Sequence, residues 1–241
     1  MLQRNYSDKL HIKIFNSMID DKSNTKLSPI QLYIYCMLCV NSTSDEDRMM
    51  PTSVDMINYM SPFRFAVKDN NNKKHIKDSL LQLIIKGYLL IADDYIRIDN
   101  NSQPDIKNNT FLTLEINHDG LENKFEKLYY NEFRFLKNPD ELFIYIVSKR
   151  FTGFSEGFKG SYSRWGKLLK LSDKTVIHKL DDAEKGGVIK VLRGRHISQN
   201  QQEINIYTHV DLMEKEDYEE VEVGQLNNVR DPEEKARNVF G

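Results

Sequence analysis

An internal repeat restricts the fold of this chain more than any other feature of its sequence. Apolar residues and a glycine recur at a constant offset of 100 (76 to 176): Ile76, Leu80, Gly87 and Leu89 correspond to Val176, Leu180, Gly187 and Ile189. Ser28-Pro29 corresponds to Asn138-Pro139 at an offset of 110, and a short helix at Met56 corresponds to one at Trp165 at an offset of 109. The offset falls from 109 to 100 at the point where the first copy has a long Asn-rich loop, as an insertion in that loop would require. We therefore predict two copies of one module, roughly residues 10–100 and 125–210.

The second copy predicts two helices joined by a tight turn. Between Ser161 and Arg195, the spacing of apolar residues gives each of two short helices one apolar face. Lys170-Leu171 fits the turn, and Ser172 lies where the second helix needs an N-cap oxygen. The predicted core-facing residues are Trp165, Leu168, Leu169, Val176, Leu180 and Ala183. This leaves four residues of the second helix largely outward: Lys174, Thr175, His178 and Lys179.

A strand, a basic loop and a returning strand are predicted after this helix pair. The second helix runs to Gly186-Gly187, and the apolar residues of 188–192 predict a strand. Arg193-Gly194-Arg195 begins the basic loop, and residues 203–208 predict the returning strand. The second copy is thus a helix pair followed by a hairpin with a basic tip.

The first copy repeats this order of elements with a longer loop before its last helix. Ser28 and Pro29 carry the N-cap and first-turn signals of an almost wholly apolar helix. Asn72 occupies the capping position of the last helix, which ends at Gly87. The other elements predicted for this copy are helices over 52–60 and 74–86, a polar loop over 63–73, and strands over 88–91 and 95–98.

The remaining segments are predicted to be a linker and an acidic tail. Residues 111–116 alternate as a strand does, and they either pair with the first copy's hairpin or bridge the two copies. A helix is predicted over 121–130. The tail after Val210 is acidic, and it is either a frayed end or a docking peptide for a partner.

The near-neutral total charge conceals a basic segment. The 241 residues carry a formal net charge of −2, which does not by itself indicate a nucleic-acid-binding protein. From Lys149 to His196, however, twelve lysines and arginines face five acidic residues. There is no leader pattern and no apolar run long enough to span a membrane, so we expect a cytoplasmic protein without membrane association.

The second copy also carries a resemblance to a known family. Residues 141–158 (ELFIYIVSKRFTGFSEGF) and 161–191 (SYSRWGKLLKLSDKTVIHKLDDAEKGGVIKV) resemble the winged-helix domains of plasmid and phage replication initiators and replisome organisers, and the broader class of winged-helix transcription regulators. Residues 19–38 resemble the first helix of the same domain. In such families a turn residue, usually Gly, precedes a capping Ser and a Lys-Thr-Val sequence that opens the recognition helix. Here these are Lys170, Ser172 and Lys174-Thr175-Val176.

The repeat and the resemblance together imply a mainly α fold with small β-wings (α+β), built from two tandem winged helix-turn-helix domains. The expected division is 1–100 for the first domain, 101–124 for a linker with a possible bridging strand, 125–210 for the second domain and 211–241 for the acidic tail. No cofactor is expected, and the chain is expected to be a monomer or a homodimer.

The outward residues of the second copy suit a DNA major groove, and its basic loop suits the adjacent backbone. The candidate DNA-binding residues of this copy are Arg164, Lys167, Ser172, Lys174, Thr175, His178, Lys179, Arg193, Arg195 and His196. Their counterparts in the first copy are Lys73, Lys74, His75 and Lys77. Because Asp93 and Asp94 in the first hairpin would repel phosphate, DNA contact and partner binding both stay open for the first copy.

Two function classes follow. The first is a non-enzymatic, sequence-specific, double-stranded DNA-binding protein of a plasmid or phage, which binds origin or operator repeats as a replication initiator or transcription regulator. A replication or transcription protein would then bind the C-terminal tail. The second is a non-catalytic adaptor whose winged helices and acidic tail bind proteins. An overall negative charge favours the second class, and the local basic segment favours the first.

Motifs that would indicate an enzyme lack their usual context. Cys36 and Cys39 have redox spacing but lie inside an apolar helix, where buried core cysteines are expected. Gly153-Phe154-Ser155-Glu156-Gly157 matches the hydrolase nucleophile pattern but follows a helix instead of a strand. The six histidines are scattered, and no phosphate-binding glycine loop ending in Lys-Ser or Lys-Thr occurs. We therefore expect no enzymatic activity.

Overall fold

The computed structural model describes residues 11–42, 49–92, 106–119, 121, 124–153, 155–198, 201–202 and 204–212. Residues up to Val210 group into one compact unit, and those from Asp211 onward into another. The first unit is a mixed α+β fold with small antiparallel sheets.

The two halves of this unit have nearly the same order of elements. The first half contains β1 (His11–Phe15), α1 (Asn16–Ile19), α2 (Pro29–Asn41), β2 (Met49–Thr52), α3 (Val54–Met60), α4 (Asp69–Ile85), β3 (Leu89–Ile91) and β4 (Leu112–Ile116). The second half contains β5 (Phe125–Tyr129), α5 (Tyr130–Phe135), α6 (Pro139–Thr152), β6 (Phe158–Lys159), α7 (Tyr162–Leu169), α8 (Asp173–Lys185), β7 (Ile189–Leu192), β8 (His196–Ser198), β9 (Gln201–Gln202) and β10 (Ile206–His209).

Each half contains a three-stranded antiparallel sheet with the same strand order. The order is β2-β4-β3 in the first half and β6-β10-β7 in the second, so the last strand of each half lies in the centre. Gly87 and Gly187, which end the helices before β3 and β7, both have a positive φ, 76° and 67°. Glycine adopts this conformation without the steric cost that a Cβ brings, which is why both copies carry it there. The equivalent elements and glycines agree with the internal repeat.

The starts of α2 and α8 follow from local capping, as the sequence predicted. The Ser28 hydroxyl accepts from the Gln31 amide at 3.3 Å, and the Gln31 side chain accepts from the Ser28 amide at 2.9 Å, so α2 begins with a complete capping box. The Ser172 hydroxyl accepts from the amide of Thr175 and opens α8. Between α7 and α8, Lys170 adopts a left-handed conformation and makes the predicted turn.

Helices α2 and α6 form the centre of the first unit. They pack directly against each other, and residues 32–39 and 142–148 are buried along almost their whole length. Because each helix is apolar on all sides, it is covered both by the other central helix and by the elements of its own half. Cys36 and Cys39 are both buried in this core, as the sequence predicted, and burial raises the pKa of Cys36.

Strands β1 and β5 pair with each other and join the two halves. They occupy equivalent places, since each leads directly into a short helix, α1 at residue 16 and α5 at residue 130. Their antiparallel register pairs Lys13 with Lys127. The starts of α1 and α5 are 114 residues apart (16 to 130), and Lys13 and Lys127 are separated by the same offset, so these two lysines occupy equivalent positions. An antiparallel pair centred on equivalent residues has a local two-fold axis at its centre. The two strands are therefore exchanged by a rotation of 180°.

Helix α4 differs from its prediction at its start. It begins at Asp69, about one turn before the expected start at 74, and Asn72 lies buried inside it instead of capping it. The Asn72 Oδ1 accepts from the amides of Phe65 and Ala66 at 2.6 and 3.1 Å, and its amide group donates to Asn58. The side chain thus holds the preceding Asn-rich loop against the helix, which explains why this polar residue is buried.

Two further predictions differ from the structure, and one open alternative is decided. Residues 121–130 were predicted to be helical, but 125–129 form the strand β5, because they pair with β1. The N-caps Ser53 and Ser161 align α3 with α7 at an offset of 108 (53 to 161) instead of 109. Strand β4 pairs with β2 and β3, so residues 111–116 complete the first half's sheet, which is one of the two alternatives that the sequence left open.

Some predicted features lie outside the described residues. These are the strand at 95–98, the acidic pair Asp93-Asp94 and the tail from residue 213. The returning strand of the second half, predicted over 203–208, is β10 over Ile206–His209.

Candidate nucleic-acid interface

The outward face of α8 carries two of the predicted residues side by side. Lys174 and His178 are exposed and lie four residues apart, so they are neighbours on one face of the helix. The opposite face confirms its predicted burial, since Val176, Leu180 and Ala183 are at most 2 % exposed. The packing of α8 on the core therefore holds an ammonium group and an imidazole toward solvent at the helix's N-terminal half.

Ser172 and Thr175 form the start of this helix. Their hydroxyl groups lie 2.9 Å apart, and the Thr175 amide donates to the Ser172 hydroxyl at 3.4 Å. Thr175 is half-buried, so its side chain contributes to capping as well as to the edge of the outward face. The two residues fix the first turn of α8 beside Lys174.

Lys179 does not lie with Lys174 and His178. Its Nζ is 2.9 Å from Oδ2 of Asp140, and the side chain is only partly exposed. Asp140 belongs to the first turn of α6, where a negative charge also complements the helix dipole. Lys179 therefore attaches α8 to α6, and the expectation that it points largely outward is wrong, because its position on the helix turns it toward this carboxylate.

Arg193 is also held by acidic residues of α8. Its guanidinium donates two hydrogen bonds to the Glu184 carboxylate, at 3.1 and 2.5 Å, and lies 3.7 Å from Asp181. The hydrogen bond from Arg193 lowers the pKa of Glu184, and the same bond raises the pKa of Arg193. Arg193 thus fastens the hairpin after β7 to α8.

The other two predicted hairpin residues follow directly. Arg195 is exposed in the loop between β7 and β8. His196 begins β8, where its backbone pairs with that of Gln202, and its side chain lies outside the described part of the chain.

Helix α7 supplies a further basic surface beside α8. Arg164 is exposed, its Nη1 donates to the carbonyl of Lys159 at 3.0 Å, and its guanidinium lies 4.7 Å from the centre of the Phe158 ring. Lys167 is exposed at the last turn, and Lys170 is exposed in the turn itself. Lys170 was predicted only as a turn residue, although its position just before α8 places a fourth positive charge next to the outward face.

The basic character of this surface ends halfway along α8. Asp181 and Asp182 follow Lys174 and His178 on the solvent side of the helix. These carboxylates oppose the approach of a polyanion to the C-terminal half. The N-terminal half of α8, together with the end of α7, is thus the basic part of the surface.

The first half presents a different surface at the equivalent place. Lys74 and His75 are exposed on α4, and Lys77 is half-buried. Lys73 is bound to Asp55 at 2.9 Å and to Asp69 at 3.4 Å, and the hydrogen bond to Asp55 is the main cause of its raised pKa.

Three basic positions of α8 are occupied by non-basic residues in α4. At the repeat offset of 100, Asp78 takes the place of His178, Ser79 that of Lys179 and Ile85 that of Lys185. Both Asp78 and Ile85 are exposed. The outward face of α4 therefore retains only Lys74 as an exposed counterpart of the basic residues of α8.

Among the described residues, no group of three or more His, Cys, Asp or Glu side chains is arranged to hold a metal ion. Within the same parts of the chain, no helix combines the length and the apolar character that crossing a membrane requires. No family model, curated protein or solved structure matches this chain.

Proposed function

We propose that this chain is a non-enzymatic, double-stranded DNA-binding protein built from two tandem winged helix-turn-helix domains. Each half has the order helix, strand, helix, helix, strand, strand, with the last strand central in the sheet. This order, with a hairpin after the last helix, is the arrangement that the sequence resemblance implies. In this proposal the first domain extends through β4, the second comprises residues 125–210, and the acidic tail binds a replication or transcription partner.

The observation that carries the proposal is the exposed pair Lys174 and His178 on the N-terminal half of α8. Protein helices that lie in the major groove contact base edges with residues of this half, and Lys donates to the acceptors of guanine. Lys167 and Lys170 flank the pair, where the DNA backbone passes such a helix. Arg195 extends the positive charge to the hairpin.

Lys179 and Arg193 take structural roles in this mechanism. Each is bound to a carboxylate of the same half, so neither has its full charge available for phosphate. They fix α8 and the hairpin relative to α6, and this positions the contacting residues without contributing a separate contact. The duplex bound would be an origin or operator repeat of a plasmid or phage, and the protein would act as a replication initiator or transcription regulator.

The experiment that tests the proposal compares duplex binding by the wild type and by two double variants. Lys174→Ala/His178→Ala removes both outward side chains of α8. We expect it to weaken binding by roughly 1–3 kcal/mol for each base that is no longer contacted, and to relax sequence preference at those positions. The target is a duplex selected from a random pool, and binding is measured by fluorescence anisotropy at several salt concentrations.

The matched control is Lys185→Ala/Lys190→Ala, which removes two exposed lysines from the far end of α8 and from β7. Equal reductions of affinity in both double variants would mean that general charge, and not this face of α8, determines binding. Unchanged affinity of Lys174→Ala/His178→Ala for every duplex would contradict the proposed site.

A protein-binding adaptor is the second candidate function, and the first half supports it. Tyr59 at the end of α3 and Val67 in the following loop are 87 % and 95 % exposed. Ile85 at the end of α4 is a third exposed apolar side chain of this half, and exposed apolar groups are what a protein partner would cover. An adaptor would give no mobility shift with random duplex at micromolar protein and modest salt, whereas the DNA-binding protein would shift it.

A further inference from the structure

Four lysines from distant parts of the sequence meet where the two halves touch. Lys26 precedes α2, Lys86 ends α4, and Lys167 and Lys170 lie at the end of α7. The Lys26 Nζ donates to the carbonyl of Lys167 at 3.5 Å, and the Lys86 Nζ donates to the carbonyl of Lys26. We call these four residues the junction lysines.

Among the described residues, the junction lysines differ from three other lysines in having no carboxylate close by. Lys73, Lys149 and Lys179 each lie next to a carboxylate, at 2.9, 2.5 and 2.9 Å. In the segments that the structure describes, no carboxylate lies within ion-pairing distance of a junction lysine. Asp20 and Asp21 act on Lys26 only from longer range.

The electrostatic effect of this arrangement is visible at the two central residues. Burial is the main cause of the lowered pKa of Lys26 and of Lys86. The positive charge of Lys170 also lowers the pKa of both, although at Lys26 the attraction of Asp21 opposes it and is the stronger of the two. Desolvation and like charges both disfavour the protonated form. The folded chain therefore holds positive charges together at a cost in free energy, and an anion placed among them would reverse that cost.

Hydrogen-bonding capacity remains for such an anion. An ammonium group has three N–H donors, whereas the Lys26 group meets one backbone carbonyl. The Lys86 group contacts a carbonyl and, at 3.4 Å, the amide oxygen of Gln31. Lys167 and Lys170 are exposed, so a ligand can reach the junction from solvent.

We propose that the junction lysines bind phosphate groups of the DNA backbone, so that a duplex held by α8 continues across the junction onto the first half. This inference rests on the proposed function, because Lys167 and Lys170 adjoin the outward face of α8. It assigns Lys26 and Lys86, which belong to the first half, to a contact that runs continuously from the second. The first half then contributes to affinity through backbone contacts, even though Asp78 takes the place of His178 on α4.

The test uses the full chain and the double variant Lys26→Met/Lys86→Met, which keeps the apolar stems of both side chains. Removing two phosphate contacts should make the slope of log affinity against log salt shallower by about 1.8, since each contact contributes about 0.9. The charge-preserving variant Lys26→Arg/Lys86→Arg should retain most of the wild-type slope. Lys107→Met removes an exposed lysine outside the junction. It should change the slope by less than the value of about 0.9 that one phosphate contact contributes. Thermal unfolding confirms that each variant is folded.

A second measurement separates this inference from the proposed function. Inorganic tripolyphosphate should raise the unfolding temperature of the wild type and of Lys107→Met, but not that of Lys26→Met/Lys86→Met.

If Lys174→Ala/His178→Ala lowers duplex affinity while Lys26→Met/Lys86→Met leaves the salt slope unchanged, DNA binding stands and the junction site is wrong. If no duplex binds the wild type, the proposed function and DNA as the junction ligand both fail. In that case, a rise in the unfolding temperature with tripolyphosphate that occurs in the wild type but not in Lys26→Met/Lys86→Met would still show a phosphate site at the junction. An equal rise in the wild type and in Lys26→Met/Lys86→Met would overturn that site as well.

Discussion

Lys170 holds a strained backbone conformation at the turn between α7 and α8. Its φ of 58° lies in the left-handed region, which costs a residue with a Cβ roughly 1–2 kcal/mol. The turn is tight because Gly166 packs on it: a Cβ at Gly166 would lie 2.8 Å from the carbonyl oxygen of Leu171. The resemblance indicated a glycine at this turn, and the structure keeps the turn with a lysine.

We expect Lys170→Gly to be more stable than Lys170→Ala by about 1 kcal/mol, because only glycine removes the steric cost of the positive φ. Both variants remove the same positive charge, so Lys170→Ala is the matched control for the effect on the junction lysines. Urea unfolding of the two variants gives the difference. Equal stability would mean that the turn changes its conformation in the alanine variant.

At the scale of secondary structure elements, an ion pair joins the hairpin to α8. The folded state lowers the pKa of Glu184 from its ordinary value of 4.5 through its hydrogen bond to Arg193. A lowered carboxyl pKa adds stability above the unfolded value, and this contribution is lost as the pH falls through the folded value. The pair therefore stabilises the hairpin at neutral pH and ceases to do so in acid.

We expect Arg193→Ala to destabilise the fold at pH 7 by less than about 1 kcal/mol, since the Arg193 side chain is exposed and the Glu184 side chain is only half-buried, so that solvent screens the pair. The difference from the wild type should shrink as the pH falls below 4.5, where Glu184 gains its proton. Thermal unfolding across this pH range measures it. Lys190→Ala removes an exposed lysine of β7 and serves as control, and a destabilisation that is the same at all pH values would exclude the Glu184 pairing as its cause.

The elements that the sequence predicted are those with local signals. Ser28 and Ser172 supply N-cap oxygens, and the apolar spacing around Leu180 follows one helix face, so α2 and α8 could be placed without tertiary information. Strand β5 was missed because its pairing partner lies more than 100 residues earlier in the chain. The first turn of α4 was missed because it has no apolar periodicity and its N-cap, Lys68, makes no side-chain cap.

The candidate site was predictable to the same extent. The outward positions of Lys174 and His178 follow from helical spacing alone. The pairing of Lys179 with Asp140 depends on how α8 packs against α6, which no local pattern encodes. The junction lysines are further from prediction, because Lys26 and Lys86 come from separate parts of the first half and meet the second half only after the chain has folded.

At the scale of the whole molecule, the pairing of β1 with β5 joins the halves and opposes two like charges. Lys13 and Lys127 lie directly opposite each other in the register, and Lys127 is exposed. Lys13 also lies over the ring of Phe125 at 5.2 Å, so its position is fixed by a second contact. Like charges opposite each other in an antiparallel pair are destabilising.

We expect Lys127→Glu to stabilise the fold by about 0.5 kcal/mol at low salt, because an opposite-charge pair replaces the repulsion. The gain should diminish at high salt, where exposed charges are screened. Lys137→Glu makes the same charge change at an exposed position outside the strand pair and serves as control. If the two variants have the same unfolding temperature at low salt, the cross-strand pair does not contribute.

The strand pair centred on Lys13 and Lys127 has a consequence for how the two halves can change over time. Its two-fold symmetry is of the kind found where two identical subunits meet, but here both strands belong to a single polypeptide, so the contact is not lost on dilution. In a true homodimer every mutation appears twice, whereas here each falls in one half. His178 and Asp78 at equivalent positions illustrate the result. Because each half has its own sequence, one half can change a surface residue while the other half keeps it.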